Sequence, residues 1–215
     1  MNPWREWPDA IAFTACDATR CHNWAVRLIL ASASPRRADL LREAGIEVDI
    51  QPADVNEDVE PGEAPEVYVR RVAEAKGRAV SRRMPGRFVL AADTAVVVEG
   101  QILGKPANDD DAARMLRLLS GRSHLVISGV CVMKDGEPAV PTEVETSVVE
   151  FADLAPAEIA WYVSSGESMD KAGGYGIQGF ASRFVTRIAG SYTNVVGLPI
   201  ALVYRMCTKA GLLLS

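Results

Sequence analysis

The chain has 215 residues, of which 48% are hydrophobic and 24% are charged, so it can bury one substantial core as a single large domain or as two small lobes. Its formal net charge of -5 at pH 7 argues against broad non-specific binding to nucleic acid or to an anionic membrane surface. No apolar run approaches the roughly 20 residues that a membrane-spanning helix needs. We therefore expect a globular protein whose contacts to any anionic ligand are local.

Residues 1–26 differ from the rest of the chain because they show no clear hydrophobic period. Charged residues are scattered among tryptophans there, without the continuous apolar stretch of a signal peptide. We interpret the segment as an N-terminal extension, disordered or loosely docked, before a domain over residues 27–215. The sequence leaves open that translation starts near Val26. Without an export signal, the protein is expected to be cytoplasmic.

The cysteines do not have the spacing of a metal site. Cys16 and Cys21 are separated by four residues with His22 adjacent, and no second cluster follows, since only Cys131 and Cys207 remain downstream. Reduced intracellular thiols are the simpler interpretation.

A readable pattern begins at Arg27 with a strand, a helix and a second strand. RLILAS is a short apolar strand, and IEVDI alternates like another. Between them, Ser34 is placed to cap a helix that has Pro35 in its first turn and Gly45 at its end. This order predicts an α/β unit. An acidic loop, NEDVEPGEAP, then leads into a long helix predicted over Glu66 to Met84.

Two apolar runs, Phe88 to Ala92 and Ala95 to Glu99, are predicted as strands that Asp93 interrupts. An ionised carboxylate costs free energy among buried β-branched residues, so the position of Asp93 indicates a structural or functional role. The EGQ turn that follows predicts a hairpin onto Ile102 and Leu103. A helix over DDDAARMLRLLSG comes next, with its acidic residues at the positive end of the helix dipole.

The second half of the chain continues the alternation of strands and helices. Two long strands are predicted in HLVISGVCVMKDGEPAVPTEVETSVVEFADL, joined at the Asp-Gly turn of KDGEP. The remaining elements are a short helix over APAEIAWYVSSG, the glycine-rich loop DKAGGYGIQG, a strand and turn over RFVTRIAGSYTNVVG, and an amphipathic helix over LPIALVYRMCTKAGLL.

The strand-to-helix turn SASPRR is the first candidate ligand site. Free backbone N–H groups and the positive end of a helix dipole favour an anion such as phosphate, and the hydroxyls of Ser32 and Ser34 can donate there. Arg36 and Arg37 lie in the first turn, where acidic residues are preferred, so a nearby anion would offset their charge. The alternative is a capped helix with two solvated arginines.

Four more charged residues are candidates, each with an ordinary structural alternative. Lys76 shares the apolar stripe of its helix, so its ammonium points toward apolar surface, although a lysine can also snorkel to water. Asp93 can be a cap at a strand end, and Lys105 can be a solvated loop residue. Glu57, in the acidic loop, is undistinguished by itself.

A Ser-His-Asp triad or a histidine-ligated zinc site is disfavoured, because His22 and His124 are the only histidines of the chain. A hydroxyl-rich turn, clustered cations and separated carboxylates instead suit a polyphosphate ligand, with the carboxylates holding an oxygen-loving cation such as Mg²⁺. The residues by themselves indicate an enzyme that binds a phosphate-bearing ligand, and they do not specify the reaction.

Six stretches from Leu28 to the C-terminus resemble the Maf family of nucleoside triphosphate pyrophosphatases: LILASASPRRADLL, YVRRVAEAKGRAV, AADTAVVVEGQILGKP, AARMLRLLSGRSHLVISGV, MDKAGGYGIQG and GSYTNVVGLP. The resemblance implies a Maf/ITPase-like α/β fold, with an elongated, twisted mixed sheet flanked by helices and two lobes around a central cleft. It also implies a homodimer that hydrolyses a nucleoside triphosphate to the monophosphate and pyrophosphate with a divalent cation, Mg²⁺ or Mn²⁺. No nucleic acid or membrane partner is expected.

The resemblance also implies which residues of this chain carry the function. The catalytic set falls on Glu57, Lys76, Asp93 and Lys105. The substrate-binding set falls on Ser32, Ser34, Arg36, Arg37, Thr94 and Gln178. Asp93 is expected at a buried strand end as the base, and Glu57 and Asp93 as metal ligands. Asn56 departs from the many relatives that carry a further acidic residue there.

The Asp-Thr pair and the Gly-Ile-Gln-Gly loop resemble the branch that acts on dTTP, UTP and modified pyrimidine triphosphates, a house-cleaning activity on the nucleotide pool. The amide of Gln178 can donate to and accept from a uracil or thymine edge. Two alternatives stay open. One is a pyrophosphatase for 7-methyl-GTP or other non-standard purine triphosphates, and the other is a nucleotide-binding regulator that inhibits septum formation.

Overall fold

The computed structural model describes residues 27–212, so the predicted extension over residues 1–26 lies outside the described residues. The strands are β1 (Leu28–Leu30), β2 (Val48–Ile50), β3 (Phe88–Val98), β4 (Gln101–Leu103), β5 (Ser123–Lys134), β6 (Glu137–Pro138), β7 (Glu143–Phe151) and β8 (Val185–Ala189). The α-helices are α1 (Pro35–Glu43), α2 (Pro65–Ser81), α3 (Asp109–Leu119), α4 (Pro156–Ser164), α5 (Tyr192–Val196) and α6 (Ile200–Lys209). None of the helices in this range is both long enough and apolar enough to cross a membrane.

The strands form one open, mixed sheet in the order β2-β1-β3-β5-β7-β8, with β4 and β6 added beside β3 and β5. β1 runs parallel to β2 and to β3, and the other neighbouring pairs are antiparallel. Helices pack on both faces of the sheet. The predicted α/β class with a mixed sheet flanked by helices is confirmed.

The side chains on one face of β3 divide between two hydrophobic clusters. Leu90 and Ala92 pack with α1 and α6, whereas Val96 and Val98 pack with α3 and α4. Successive side chains of a strand alternate between its faces, so Thr94 lies on this face between the clusters. The clusters are the cores of the two lobes.

Helix α2 covers the opposite face of β3, also in two clusters. Ala73 packs with Ala91 in one cluster, and Val72 packs with Ala95 in the other. By the same alternation, Asp93 lies on this face, between the two clusters and beneath α2. On each face of β3, one hydrophobic cluster ends and the next begins around a polar residue, Thr94 on one face and Asp93 on the other.

Gly129 explains how closely α2 approaches the sheet. It pairs with Asp93 in the β3–β5 ladder, and a Cβ at this position would lie 2.4 Å from the carbonyl oxygen of Val69 in α2. Because the obstacle is backbone, only a residue without a side chain fits between the helix and the strand. The close approach brings Lys76 within reach of Asp93.

The prediction that Asp93 lies at a strand end is wrong. β3 runs without a break from Phe88 to Val98, so Asp93 lies in the middle of a strand. β5 pairs with β3 through this region and supports its backbone. The interruption is on the other edge of β3, where β1 pairs only as far as Leu90 and β4 only from Val96. The polar residue marks a gap between the neighbouring strands.

Other boundaries differ from the predictions in smaller ways. The hairpin after Glu99 forms as predicted, and the Asp-Gly turn forms with positive φ angles at Asp135 and Gly136. That turn leads into the short strand β6, and the second long strand, β7, begins only at Glu143. α2 ends at Ser81, before the predicted Met84, and the predicted final turn contains the short helix α5.

Candidate active site

A cleft opens on the edge of β3 at the gap between β1 and β4. Within residues 27–212, no strand pairs with residues 91–95 on this edge. The cleft has a volume of about 830 Å³ and is lined by residues of both lobes. All ten of the residues implicated by sequence lie along it: Ser32, Ser34, Arg36, Arg37, Glu57, Lys76, Asp93, Thr94, Lys105 and Gln178.

Three ionisable side chains meet at the base of this cleft. The Nζ of Lys76 lies 2.8 Å from Oδ1 of Asp93 and 2.9 Å from Oε1 of Glu57. Lys76 and Asp93 are only 7% and 5% exposed, whereas the side chain of Glu57 is 45% exposed. Burying charges costs free energy unless they are paired, and the single ammonium compensates two carboxylates here. The group therefore keeps one excess negative charge that faces the cleft.

One carboxylate oxygen of this group is unpaired within the described part of the chain. Oδ2 of Asp93 is buried and has no hydrogen-bond partner among residues 27–212. Glu57 and Asp93 bring carboxylate oxygens to the same ammonium, which is the donor type that a hard divalent cation requires. The described residues contain no group of three or more acidic, histidine or cysteine ligands, so substrate oxygens or water would complete such a site.

Arg37 links the two sides of the gap. Its Nε donates to the carbonyl oxygen of Gly197 at 2.8 Å, and its Nη1 donates to that of Ala92 at 2.9 Å and to Oγ of Ser32 at 3.2 Å. Burial lowers the pKa of the Arg37 guanidinium, and the nearby carboxylates oppose that shift. With most of its donors committed to protein atoms, Arg37 supplies positive charge and holds the gap in shape.

Thr94 belongs to the same network. Its hydroxyl lies 2.8 Å from Oγ of Ser128, accepts from Nη2 of Arg37 at 3.1 Å, and lies 3.1 Å from the carbonyl oxygen of Gly197. The hydroxyl of Thr94 has one hydrogen and can donate it to Gly197, while Ser128 can supply the hydrogen of the other contact. In this structure, Thr94 orients Arg37 and the segment that ends α5.

The β1–α1 turn presents the two predicted serines. Ser34 occupies the N-cap position of α1, but it makes no capping bond through its side chain, contrary to the prediction. Its backbone N–H instead donates to Oγ of Ser32 at 3.2 Å. The hydroxyl of Ser34 is thereby left for a ligand at the positive end of the helix.

Arg36 reaches across the cleft to the glycine-rich loop. Its Nη1 donates to Oδ2 of Asp170 at 3.0 Å, while Lys171 donates to the other oxygen of that carboxylate. Burial opposes the shift, but the hydrogen bonds from Lys171 and Arg36 hold the pKa of Asp170 below its ordinary value. A phosphate group that approached Arg36 would compete with Asp170 for the guanidinium.

Lys105 and Gln178 lie on two exposed loops at the rim of the cleft. Neither side chain makes a hydrogen bond to another residue in the range 27–212. The loops are tied together by the backbone N–H of Gly173, which donates to the carbonyl oxygen of Gly104 at 3.0 Å. Both side chains are therefore available to a ligand, and their roles stay predictions.

Sequence reasoning missed four residues along the cleft: Tyr68, Glu167, Asp170 and Lys171. The hydroxyl of Tyr68 donates to the carbonyl oxygen of Glu57 at 3.0 Å and so anchors the loop that carries this carboxylate. Burial and the charges of Asp93 and Glu57 raise the pKa of Tyr68, which keeps the phenol protonated. The sequence shows the adjacent Asp170 and Lys171 at the start of the glycine-rich loop. Nothing in the sequence indicates that this pair lies opposite Arg36.

An open α/β sheet whose central gap gathers buried carboxylates, arginines and lysines defines a protein with a cleft for phosphate-bearing ligands. The chain belongs to the Maf-like protein family, whose sequence pattern matches residues 27–210. The family predicted from the six sequence stretches is confirmed.

Several relatives match over nearly their whole length. The chain is 52% identical over 192 residues to the dTTP/UTP pyrophosphatase of Koribacter versatilis (strain Ellin345), covering 89% of this chain and 98% of that protein. It is 52% identical over 190 residues to that of Anaeromyxobacter dehalogenans (strain 2CP-C), covering 87% and 95%. A HAM1 protein from Coxiella burnetii matches with a TM-score of 0.50 at 16% identity, covering 86% of this chain and 99% of that chain, and so shares the fold.

Proposed function

We propose that this protein hydrolyses dTTP, UTP and modified pyrimidine triphosphates to the monophosphate and pyrophosphate, as a house-cleaning enzyme of the nucleotide pool. Its relatives at 52% identity are named dTTP/UTP pyrophosphatases. The structural observation that carries the proposal is the contact of buried Lys76 with both Asp93 and Glu57 at the gap in the sheet. Burying such a group costs stability, and its exposure to a cleft indicates that the charges serve a ligand and not the fold.

Asp93 is the proposed general base. Lys76 donates to Oδ1 and so fixes the carboxylate, while Oδ2 is left to accept a proton from the attacking water. The water oxygen bonds to the α-phosphorus as the bond between that phosphorus and the oxygen bridging to the β-phosphate breaks. Pyrophosphate leaves, and the proton of the water stays on Asp93.

We also propose that Glu57 and Asp93 hold a divalent cation, Mg²⁺ or Mn²⁺, with the help of phosphate oxygens of the substrate. Such an ion neutralises charge on the triphosphate and on the leaving pyrophosphate. The support is the half-exposed carboxylate of Glu57, which lies beside that of Asp93 on the same ammonium, so that Oδ2 of Asp93 stays available as the base.

The remaining predicted residues are proposed to grip the triphosphate and the base. Arg36, Lys105 and the hydroxyls of Ser32 and Ser34 contact phosphate oxygens at the positive end of α1. The amide of Gln178 pairs with the edge of the pyrimidine. Thr94 and Arg37 contribute chiefly by shaping the gap and its potential.

The resemblance to the family supports two further proposals, that the enzyme is a homodimer and that it acts in the cytoplasm. Light scattering coupled to size-exclusion chromatography measures the first. A mass equal to that of one chain at micromolar concentration would contradict it.

The decisive experiment is a phosphate-release screen over ordinary and modified triphosphates, run with and without inorganic pyrophosphatase. We expect release from dTTP and UTP only when the coupling enzyme is present, because the product is pyrophosphate. Asp93→Asn should lower the rate about a hundredfold or more, equivalent to roughly 2 to 4 kcal/mol in the barrier. No turnover of any triphosphate would contradict the proposal, and faster turnover of 7-methyl-GTP would favour a purine substrate.

A further inference from the structure

Gln178 lies in a tight turn at the rim of the cleft. The backbone N–H of Gly179 donates to the carbonyl oxygen of Gly176 at 3.1 Å, which closes a four-residue turn with Gln178 at its third position. The side chain of Gln178 is exposed and makes no hydrogen bond within residues 27–212. The position of the turn therefore decides where this amide meets a ligand.

Glu167 and Tyr162 hold this turn at both ends. The backbone N–H of Phe180, which follows the turn, donates to Oε2 of Glu167 at 2.8 Å. The backbone N–H of Gly176, which begins it, donates to the hydroxyl of Tyr162 at 3.3 Å. The same hydroxyl donates to Oε1 of Glu167 at 3.2 Å, so one carboxylate is connected to both ends.

The chemistry of Tyr162 suits this double role. Its side chain is fully buried, and burial together with the charge of Glu167 raises its pKa. The hydroxyl stays protonated, so it can donate to the carboxylate and accept from the backbone at once. A hydrogen bond to a charged acceptor is also stronger than one between neutral groups.

The fit between Glu167 and the turn is tight. A Cβ at Gly179 would lie 2.1 Å from Oε1 of Glu167, and a Cβ at Gly176 would lie 2.6 Å from Cε of Lys171. The φ of Gly179 is -104°, outside the left-handed region that favours glycine, so the carboxylate of Glu167 is the main obstacle to a side chain here. The carboxylate occupies the volume that a side chain on the turn would fill.

We propose that Glu167, acting together with Tyr162, is a positioning residue for recognition of the base. It holds the turn over residues 176–179 so that Gln178 meets the edge of the pyrimidine at a fixed place. The inference rests on the proposed function, because it assigns the base to the end of the cleft that Gln178 lines. The triphosphate contacts at the β1–α1 turn and at Lys105 are made by other segments. The glycine-rich loop reaches those segments through Asp170 and Gly173, and not through the carboxylate of Glu167.

Binding of two ligands separates the two ends of the cleft. The first is the non-hydrolysable α,β-imido analogue of dTTP, and the second is inorganic tripolyphosphate, which carries no base. Calorimetry with Mg²⁺ present should show that Glu167→Ala weakens the analogue about five- to tenfold, the effect of one lost hydrogen bond. The affinity for tripolyphosphate should stay unchanged, and Tyr162→Phe should act in the same direction.

Conservative and remote substitutions serve as controls. Glu167→Gln keeps an oxygen that accepts from the N–H of Phe180, so it should retain most of the affinity for the analogue. Glu150→Ala removes a surface carboxylate that pairs with Arg187 outside the cleft and should change neither affinity. Equal weakening of both ligands by Glu167→Ala would indicate a general loss of structure and would overturn the inference, as would no weakening.

Gly179→Ala tests the clamp from the side of the turn and covers the case in which Glu167→Ala does not fold. The added methyl group displaces the carboxylate, so this variant should also weaken the analogue and spare tripolyphosphate. In the Glu167→Ala background the methyl group has room, and it should have no further effect. Additive losses in the double variant would contradict the clamp. These measurements need no turnover, so an inactive wild type would count against the proposed function alone.

Discussion

Asp93 shows how a charge can be kept inside a sheet when its neighbours are arranged for it. Lys76 takes one oxygen of the carboxylate, and the gap between β1 and β4 exposes the site to a ligand. The sequence predicted that these two residues matter, because a lysine on an apolar stripe and an aspartate between two apolar runs are both unusual. It could not predict their contact, which depends on the register between α2 and β3.

Replacing Lys76 by methionine should destabilise the fold more than an average core substitution. The variant leaves Asp93 buried without its cation, a loss of about 3 to 5 kcal/mol in the free energy of unfolding. Urea denaturation measures this loss. The double variant Lys76→Met with Asp93→Asn removes both charges and should recover part of the stability, whereas equal stability of the single variant and wild type would contradict the assignment.

His124 is expected to make stability depend on pH. Burial lowers its pKa from 6.5 to about 4, so the unfolded chain binds a proton there that the folded chain does not. The stability contributed by His124 is fully present above pH 6.5 and is lost as the pH falls toward 4, by roughly 3 kcal/mol.

Denaturation at several pH values checks this expectation. His124→Phe removes the titrating group, so the difference in unfolding free energy between wild type and variant should shift in favour of the variant below pH 6.5. Comparing the two proteins cancels the carboxylates that titrate in the same range. Parallel pH profiles would show that His124 is not the group responsible.

At the scale of the elements, α2 is positioned by the absence of a side chain beneath it. Gly129 of β5 lies against the backbone of Val69, and Gly77 of α2 lies against the sheet, where a Cβ would be 2.8 Å from Sγ of Cys131. These glycines carry no helix or strand signal of their own. Sequence reasoning therefore predicted the helix and the strands but not how closely they pack.

Gly129→Ala should push α2 away from β5, because the new methyl group meets the carbonyl group of Val69 and not a side chain that can rotate. We expect a loss of about 1 to 3 kcal/mol in stability from overpacking. Activity should fall further than stability requires, since Lys76 moves with the helix. Gly104→Ala, where no atom lies within 4 Å of the added Cβ, is the matched control for stability.

For the whole molecule, the order of helices and strands could be predicted from hydrophobic periods, caps and turns, but the sheet order could not. Asp93 is the clearest case. Its sequence context indicated a break, and the break belongs to the strands beside β3, because β5 supports the strand on the other edge. Long-range pairing of this kind depends on which strands lie next to one another, and local patterns do not record it.

A ligand that contacts both lobes should raise the melting temperature. At a concentration of about 100 times its dissociation constant, the α,β-imido analogue of dTTP adds about 2.7 kcal/mol to the stability of the folded state. For a chain of this size, that corresponds to a rise of roughly 5 to 10 °C. Thermal denaturation with and without a chelator measures the contribution of Mg²⁺, and no shift with the analogue would contradict binding in the cleft.

Both lobes are built on strands β3 and β5. Ten consecutive residues of β3 pair with β5, and this ladder runs along the floor of the cleft. Opening or closing the lobes like a hinge would break this ladder. The floor of the cleft is therefore rigid, whereas Lys105 and Gln178 lie on exposed loops at its rim. Exchanging the rim loops among relatives should retarget such an enzyme to a different base without rebuilding its catalytic floor.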